Sequence, residues 1–219
     1  RIDRMPEILK DVLKVASIEG EYFTGEVLAG VQKAEEKEMV KLLSGKLDKQ
    51  YQLVNARGIL HAGGQRLSQY RFRHILFQKY LYNSLDEVER AHLHEDVGNV
   101  LEKQYREQVE EIAVHLARHF QEAGINEKAI QYLQKAGNNA VRKSAYAEAV
   151  SHFRKALELL KKLPVTPERV GQELALQVPL AVNVSNILGD MPIPSWVKLI
   201  IVLMSYASKL VKPLSLSWC

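Results

Sequence analysis

The chain has 219 residues, of which 47% are apolar and 26% are charged, a composition typical of a folded globular protein and not of a disordered one. Its 30 basic and 26 acidic residues are interleaved, so the net charge of +4 indicates solvated helix faces before any nucleic-acid surface. The single cysteine, Cys219, excludes an internal disulfide and a cysteine-based metal site, and it favours a cytoplasmic setting. The apolar run at 199–204 is far shorter than the roughly 20 residues that span a bilayer, so we expect no membrane segment. Because the chain begins with Arg1, we expect it to be part of a longer protein.

Three short helices are predicted in the first 50 residues. The stretch "MPEILKDVLKVASI" places apolar residues on one helix face, with Pro6 in the first turn. A second helix follows Thr24, a candidate N-cap. The third helix, in "EEKEMVKLLSGKLDK", has an apolar stripe formed by Met39, Leu42, Leu43 and Leu47.

A β-hairpin is predicted next. The segments "YQLVN" and "LSQYRFR" alternate between apolar and polar residues, and Gly63 and Gly64 lie between them, where a hairpin turn requires positive φ angles. Three helices followed by a hairpin predict a winged helix-turn-helix domain over residues 1–85.

Helical spacing resumes after the hairpin. Apolar residues recur every three or four positions from Ile75 to Leu85, and Ser84 with Glu87 predicts a capping box that opens a linking helix over 86–106. The fold class is therefore mainly α, with a small hairpin.

Residues 107–182 are predicted to form helical repeats similar to tetratricopeptide (TPR) repeats. A further helix opens there with Thr166 as its N-cap. Since stacked repeats need about three units for stability, we expect this region to pack against neighbouring segments or to continue beyond the chain. The small and large residues with the spacing of a TPR helix pair are Leu133, Ala136, Gly137, Ala140, Ala149, Phe153 and Ala156.

Two enzyme motifs are considered and set aside. Gly45 and Lys46 suggest a phosphate-binding loop, but Leu47 stands where the hydroxyl residue belongs, so we expect no ATP hydrolysis and no enzyme activity. His115 and His119 lie four residues apart on one helix face but lack a third ligand, so we expect helix packing there and not a metal. His92 and His94, two residues apart on a predicted helix, point apart and do not favour a metal either.

Binding to DNA is an alternative function for a winged helix. The third helix carries lysines that suit phosphate contacts, but Glu35, Glu36 and Glu38 lie at its N-terminus, where base contacts are made and where phosphate would be repelled. We therefore expect no nucleic-acid partner. A DNA-binding transcription regulator and a free-standing TPR adaptor remain the alternatives.

Several phrases of the sequence together resemble one family. The chain is similar over residues 1–180 to the middle part of STAND-type signalling ATPases, AAA-family proteins with TPR tails that are often joined to an adenylate or guanylate cyclase domain or to a protein kinase domain. The phrases are "VASIEGEYFT", "YRFRHILFQKYLY", "IAVHLARHFQEAG", "EKAIQYLQKAGNNA" and "LPVTPE".

This resemblance implies a regulatory fragment without catalytic residues. ATP or ADP is expected on a P-loop ATPase domain upstream of the chain, and protein partners are expected on the TPR helices. In related proteins a histidine of the winged helix meets the nucleotide phosphate, and His74 occupies the corresponding place. Arg71 and Arg73, alternate residues of one strand, would add charge-assisted hydrogen bonds. The alternative role for His74 is a half-buried residue that bonds to backbone at the strand-to-helix joint.

Residues 183–219 form an atypical tail. It has neither repeat spacing nor a solvated face, and we expect it to be a frame-shifted continuation of the repeats. The shifted reading converts the codons of Trp196 and Val197 into a glycine codon, as a TPR helix of the family would require.

Overall fold

A computed structural model of the chain describes residues 5–188, which are mainly helical with a small three-stranded antiparallel sheet. The α-helices are, in chain order, α1 (Glu7–Glu19), α2 (Gly25–Gln32), α3 (Glu36–Lys41), α4 (Ile75–Ser84), α5 (Glu87–Tyr105), α6 (Ala113–Glu122), α7 (Asn126–Arg142), α8 (Tyr146–Leu160) and α9 (Pro167–Leu188). The other elements are β1 (Tyr22–Thr24), a π-helical segment (Leu42–Gln50), β2 (Val54–Ala62), β3 (Gln65–Phe72) and a 3₁₀ segment (Arg106–Glu110).

The described residues fall into two compact units, which divide between Tyr132 and Leu133. The predicted domain bounds at 85, 106 and 182 stay predictions. Residues 183–188 of the predicted tail continue α9, and the rest of that tail, including Trp196 and Cys219, lies outside the described residues.

The sheet belongs to the first unit and has the strand order β1-β3-β2. Ala62 pairs with Gln65, so Gly63 and Gly64 form the turn, with φ angles of 57° and 73°. The predicted hairpin turn is confirmed, because both glycines adopt the left-handed backbone that a tight two-residue connection requires.

The hairpin is longer than the sequence indicates, so the predicted short strands are wrong in their bounds. Most side chains of β2 are exposed, and Arg57 has no cross-strand partner because a bulge separates Ala56 from Gly58. The strand is therefore held by its ladder of backbone hydrogen bonds and not by alternating burial. Alternation of apolar residues cannot reveal such a strand.

The third predicted helix changes character along its length, from α3 to the π-helical segment. Met39, Leu43 and Leu47 are buried at intervals of four residues. A π-helical turn is wider than an α-helical one, so this spacing stays on one face instead of drifting. Tyr70 of β3 meets the segment through a hydroxyl contact of 2.8 Å with Ser44.

Two predicted helix caps have different outcomes. The capping box at Ser84 is wrong, because Asp86 caps α5 by accepting a hydrogen bond of 2.8 Å from the Glu89 N–H. Ser84 instead donates to the Leu81 carbonyl in the last turn of α4. The cap at Thr166 is confirmed, since its hydroxyl accepts from the Arg169 N–H at 3.2 Å.

In the second unit, α8 packs against α9, and the Phe153 ring of α8 lies against Gly137 of α7. Phe153 is fully buried. The ring fits against α7 because Gly137 has no side chain. An added Cβ at that position would lie 2.6 Å from a ring carbon of Phe153.

We expect alanine to have opposite effects at two helical glycines of this unit. Gly137→Ala should lower the free energy of unfolding by roughly 1–2 kcal/mol, because the overlap with Phe153 outweighs the better helix propensity of alanine. Gly171→Ala, the matched control, should raise it by up to about 1 kcal/mol, because the new methyl group meets open space and only the propensity gain remains. Urea unfolding of both variants measures the difference. Equal effects of the two substitutions would contradict the close contact at Gly137.

Candidate functional site

His74 lies at the joint between β3 and α4, in the N-cap position of that helix. Its backbone is extended, with φ −133° and ψ 127°, and its side chain is exposed. The edge of its ring contacts Phe77 in the first turn of α4, with 5.6 Å between the ring centroids. The alternative role for His74 required a half-buried side chain, whereas the side chain is exposed.

Arg71 and Arg73 are each paired with a carboxylate. Arg71 lies 2.5 Å from Glu21, and its guanidinium lies over the Tyr22 ring. Arg73 lies 2.7 Å from Asp48 of the π-helical segment. Both arginine side chains are partly exposed, so an incoming phosphate would have to share them with these carboxylates.

The residues predicted for TPR packing are all buried in the described structure. They are Leu133, Ala136, Gly137 and Ala140 on α7 and Ala149, Phe153 and Ala156 on α8. The helices α7 and α8 therefore approach closely through small residues, with one large ring between them.

A buried histidine pair is present that the sequence did not reveal. His94 of α5 and His119 of α6 are each 1% exposed, and their Nδ1 atoms lie 2.9 Å apart. Gly98 lies one turn after His94, and a Cβ there would lie 3.1 Å from the Phe120 ring and 3.5 Å from the His119 Cβ, so its missing side chain makes room chiefly for Phe120. Spacing along one helix relates His92 to His94 and His115 to His119, whereas the partners His94 and His119 lie on different helices.

The neighbouring groups fix the direction of the hydrogen bonds. Arg118 Nη2 lies 3.5 Å from His119 Nε2, and an arginine can only donate. We therefore assign a lone pair to His119 Nε2, and the His119 Nδ1–H donates to His94 Nδ1. His94 Nε2–H then donates to the Tyr82 hydroxyl oxygen at 3.1 Å.

This network requires both imidazoles to be neutral. Burial lowers the pKa of His94 to about 4, and the charges of Arg118 and Arg90 contribute to the shift. Burial also lowers the pKa of His119, assisted by Arg118 and the other histidines. An added proton on His94 Nδ1 would place two N–H groups face to face, so the geometry of the contact also favours the neutral rings.

A cavity of about 300 Å³ lies next to this network in the first unit. Its lining includes the buried Phe23 and Thr24 and also Glu19, at the end of α1. Thr24 occupies the predicted N-cap position of α2, but its hydroxyl donates to Glu19 instead of capping that helix. Burial raises the pKa of Glu19 to about 8, although the hydrogen bonds from Thr24 lower it.

Comparison with protein-family models, with curated proteins and with solved structures gives no match for this chain. Within residues 5–188, no group of three or more His, Cys, Asp or Glu side chains is arranged to hold a metal ion. None of the helices in that range is both long and apolar enough to cross a membrane. The site is therefore argued from its own geometry.

We expect the histidine pair to make the free energy of unfolding fall as the pH is lowered from about 6.5 to about 4. The folded chain keeps His94 and His119 neutral, whereas the unfolded chain protonates both below an ordinary pKa of about 6.5. The unfolded state then binds more protons and is favoured by acid. Glu19 acts in the opposite sense between pH 4.5 and 8, because its raised pKa makes the folded state the stronger proton binder.

Urea unfolding at pH 6.5, 5.5 and 4.5 separates these contributions. The double substitution His94→Gln and His119→Gln should reduce the pH slope by up to about 2.7 kcal/mol per pH unit near pH 5, where the unfolded chain binds almost two more protons than the folded one. The matched control is His92→Gln, an exposed histidine of the same helix, which should leave the slope unchanged. An unaltered slope in the double variant would mean that the buried histidines are charged in the folded chain.

Proposed function

We propose that the chain is a non-catalytic regulatory part of a STAND-type signalling ATPase. Residues 1–85 would form its winged-helix lid, and the helices from residue 107 onward would form a TPR-like region for protein partners. The winged-helix assignment is supported by the order of α1, α2 and α3 before the β2–β3 hairpin. The observation that carries the proposal is the exposed position of His74 at the joint between hairpin and helix.

An exposed imidazole at that joint suits a nucleotide switch. ATP or ADP would bind to an ATPase domain that precedes this chain in the same polypeptide, and His74 would contact its phosphate across the domain boundary. A contact made in one domain arrangement and not in the other shifts the population toward the first. The role of His74 is therefore gating and not catalysis.

The carboxylate partners of the two arginines couple this joint to the rest of the first unit. Asp48, the partner of Arg73, belongs to the π-helical segment, and Glu21, the partner of Arg71, lies just before β1. A phosphate near His74 would compete with Asp48 for Arg73. Such competition would weaken the ion pair between the end of the hairpin and the π-helical segment. Binding of the phosphate would in this way change how the hairpin is held.

The TPR-like assignment is supported by the packing of α7 on α8. Small residues bring the two helices together, and Phe153 fills the remaining space. Helix pairs of this kind present their remaining faces to partners, so we propose binding of protein segments there.

Two observations disfavour DNA binding. The acidic residues Glu35, Glu36 and Glu38 are exposed at the start of the third helix, where they would repel phosphate. The wing is also attached at its tip, because the Gly63 N–H donates to the Gln108 side chain at 2.5 Å. A wing whose tip is held by the 3₁₀ segment is not free to enter a groove of DNA.

We expect His74→Ala to weaken the nucleotide-bound resting state of the intact protein and to raise its basal signalling. The stability of the chain itself should change by no more than about 0.5 kcal/mol, because the side chain is exposed. His61→Ala, an exposed histidine of β2 away from the joint, is the matched control. A His74→Ala variant that melts early and signals less would leave only a packing role.

We expect no binding of this chain to random duplex DNA at physiological salt. Titration of labelled duplex at several salt concentrations tests this, because phosphate binding weakens steeply as salt rises. Saturable binding with a steep salt dependence would favour a DNA-binding regulator. The coding sequence directly upstream of Arg1 provides an independent test, since the proposal requires a P-loop ATPase domain there.

A further inference from the structure

The lining of the cavity in the first unit combines apolar and polar side chains. Of its residues, Tyr22, Leu60 and His115 are exposed, whereas Phe23, Thr24 and His119 are buried. The cavity volume of about 300 Å³ is at the small end of the range for ligand pockets.

Glu19 is an acid without a cationic partner. Among the described residues, no lysine or arginine nitrogen lies within ion-pair distance of its carboxyl group, whereas Glu21, two residues later, is paired with Arg71. The nearby Arg118 guanidinium donates instead to the backbone carbonyls of Ile18 and Glu19. Glu19 also ends α1, where the negative end of the helix dipole disfavours a carboxylate.

The carboxyl group still has capacity to accept hydrogen bonds. The Thr24 N–H donates to Glu19 Oε2 at 3.0 Å, and the Thr24 hydroxyl donates to Oε1 at 3.1 Å. An ionised carboxylate offers about four acceptor positions, so roughly two remain once Glu19 has lost its proton.

Two further lining residues can accept hydrogen bonds. Desolvation of the partly exposed His115 side chain and the charge of Arg118 lower its pKa, so its neutral imidazole has one nitrogen that accepts. Tyr105 also lines the cavity, and a phenol oxygen can accept a hydrogen bond. An ammonium group has three donors and no acceptor, and it matches this set, whereas an anion would meet the carboxyl group.

We propose that this cavity, which we call the Glu19 pocket, binds a primary ammonium group on an apolar stem, with Glu19 as its counter-ion. The ammonium belongs either to a small free amine or to a lysine side chain. The stem lies along Phe23, Leu101 and Ile112. This site is separate from the proposed switch at His74.

Binding at the Glu19 pocket is linked to proton release. The free carboxyl group is mostly protonated at pH 7, since its pKa is raised to about 8, and an ammonium ion favours the ionised form. One proton therefore leaves for nearly every amine bound at pH 7. The affinity for the amine rises between pH 6 and 8 for the same reason.

Isothermal titration calorimetry with the full chain tests the proposal. The probes are phenethylamine, its neutral analogue 2-phenylethanol, and Nα-acetyl-lysine methylamide, each titrated at pH 7 in buffers with different heats of ionisation. We expect saturable binding of at least one amine with release of nearly one proton, and weaker binding of the alcohol without proton release. The tighter of the two amines identifies the source of the ammonium group.

Substitutions locate the binding site. Glu19→Gln should weaken amine binding roughly tenfold or more and abolish proton release, because the charge-assisted hydrogen bond is lost. His115→Leu, a change at an exposed lining residue, should weaken binding with little change in stability. Glu7→Gln removes the same charge from the other end of α1 and should leave binding unchanged. Amines that bind no better than the alcohol, or a Glu19→Gln chain that binds them as tightly as the original, would overturn the proposal.

Discussion

The contact between His94 and His119 depends on a single proton held between two buried imidazole rings. From this pair the hydrogen bonds extend to Tyr82 of α4 on one side and toward Arg118 on the other. Arg118 in turn donates to the last carbonyls of α1. One polar network thus ties α1, α4, α5 and α6 together in the first unit. Because both rings are almost fully buried, loss of one partner would leave an unsatisfied polar group in the core.

The same network shapes the Glu19 pocket. His119 forms part of its lining, and Arg118 holds α6 against the end of α1, which carries Glu19. The histidine pair and Glu19 both resist becoming charged, but with opposite sign. The histidines resist protonation, which would make them positive, and Glu19 resists ionisation, which would make it negative. The positive charge of Arg118 acts on both, since it lowers the pKa of His119 and also that of Glu19. A cation in the pocket would therefore ionise Glu19 without requiring the histidines to change.

The sequence reveals elements whose signal is local and misses those that depend on distant partners. The Gly63–Gly64 turn and the Thr166 cap are recognisable because each is decided within a few residues. Ser84 and Asp86 are both possible N-caps of α5. Which of them caps the helix depends on where α4 ends, and the spacing of apolar residues does not determine that end. The strand β1 has only three residues, which is too short to show the alternation of apolar and polar residues that identifies a strand. The partners His94 and His119 lie on two different helices, and no pattern within one helix contains that information.

The position of His74 was accessible to sequence reasoning because the period of the apolar residues changes there, from that of a strand to that of a helix. The partners of the neighbouring arginines were not accessible, since Asp48 lies 25 residues before Arg73 and joins it only through the folded hairpin. These ion pairs alter the physical account of the proposed switch. A phosphate beside His74 would find Arg73 already neutralised and would have to displace or share Asp48, at the cost of an ion pair that is partly exposed and therefore weak. The low strength of such a pair suits a switch, because a contact that holds two elements weakly is one that a single phosphate can exchange.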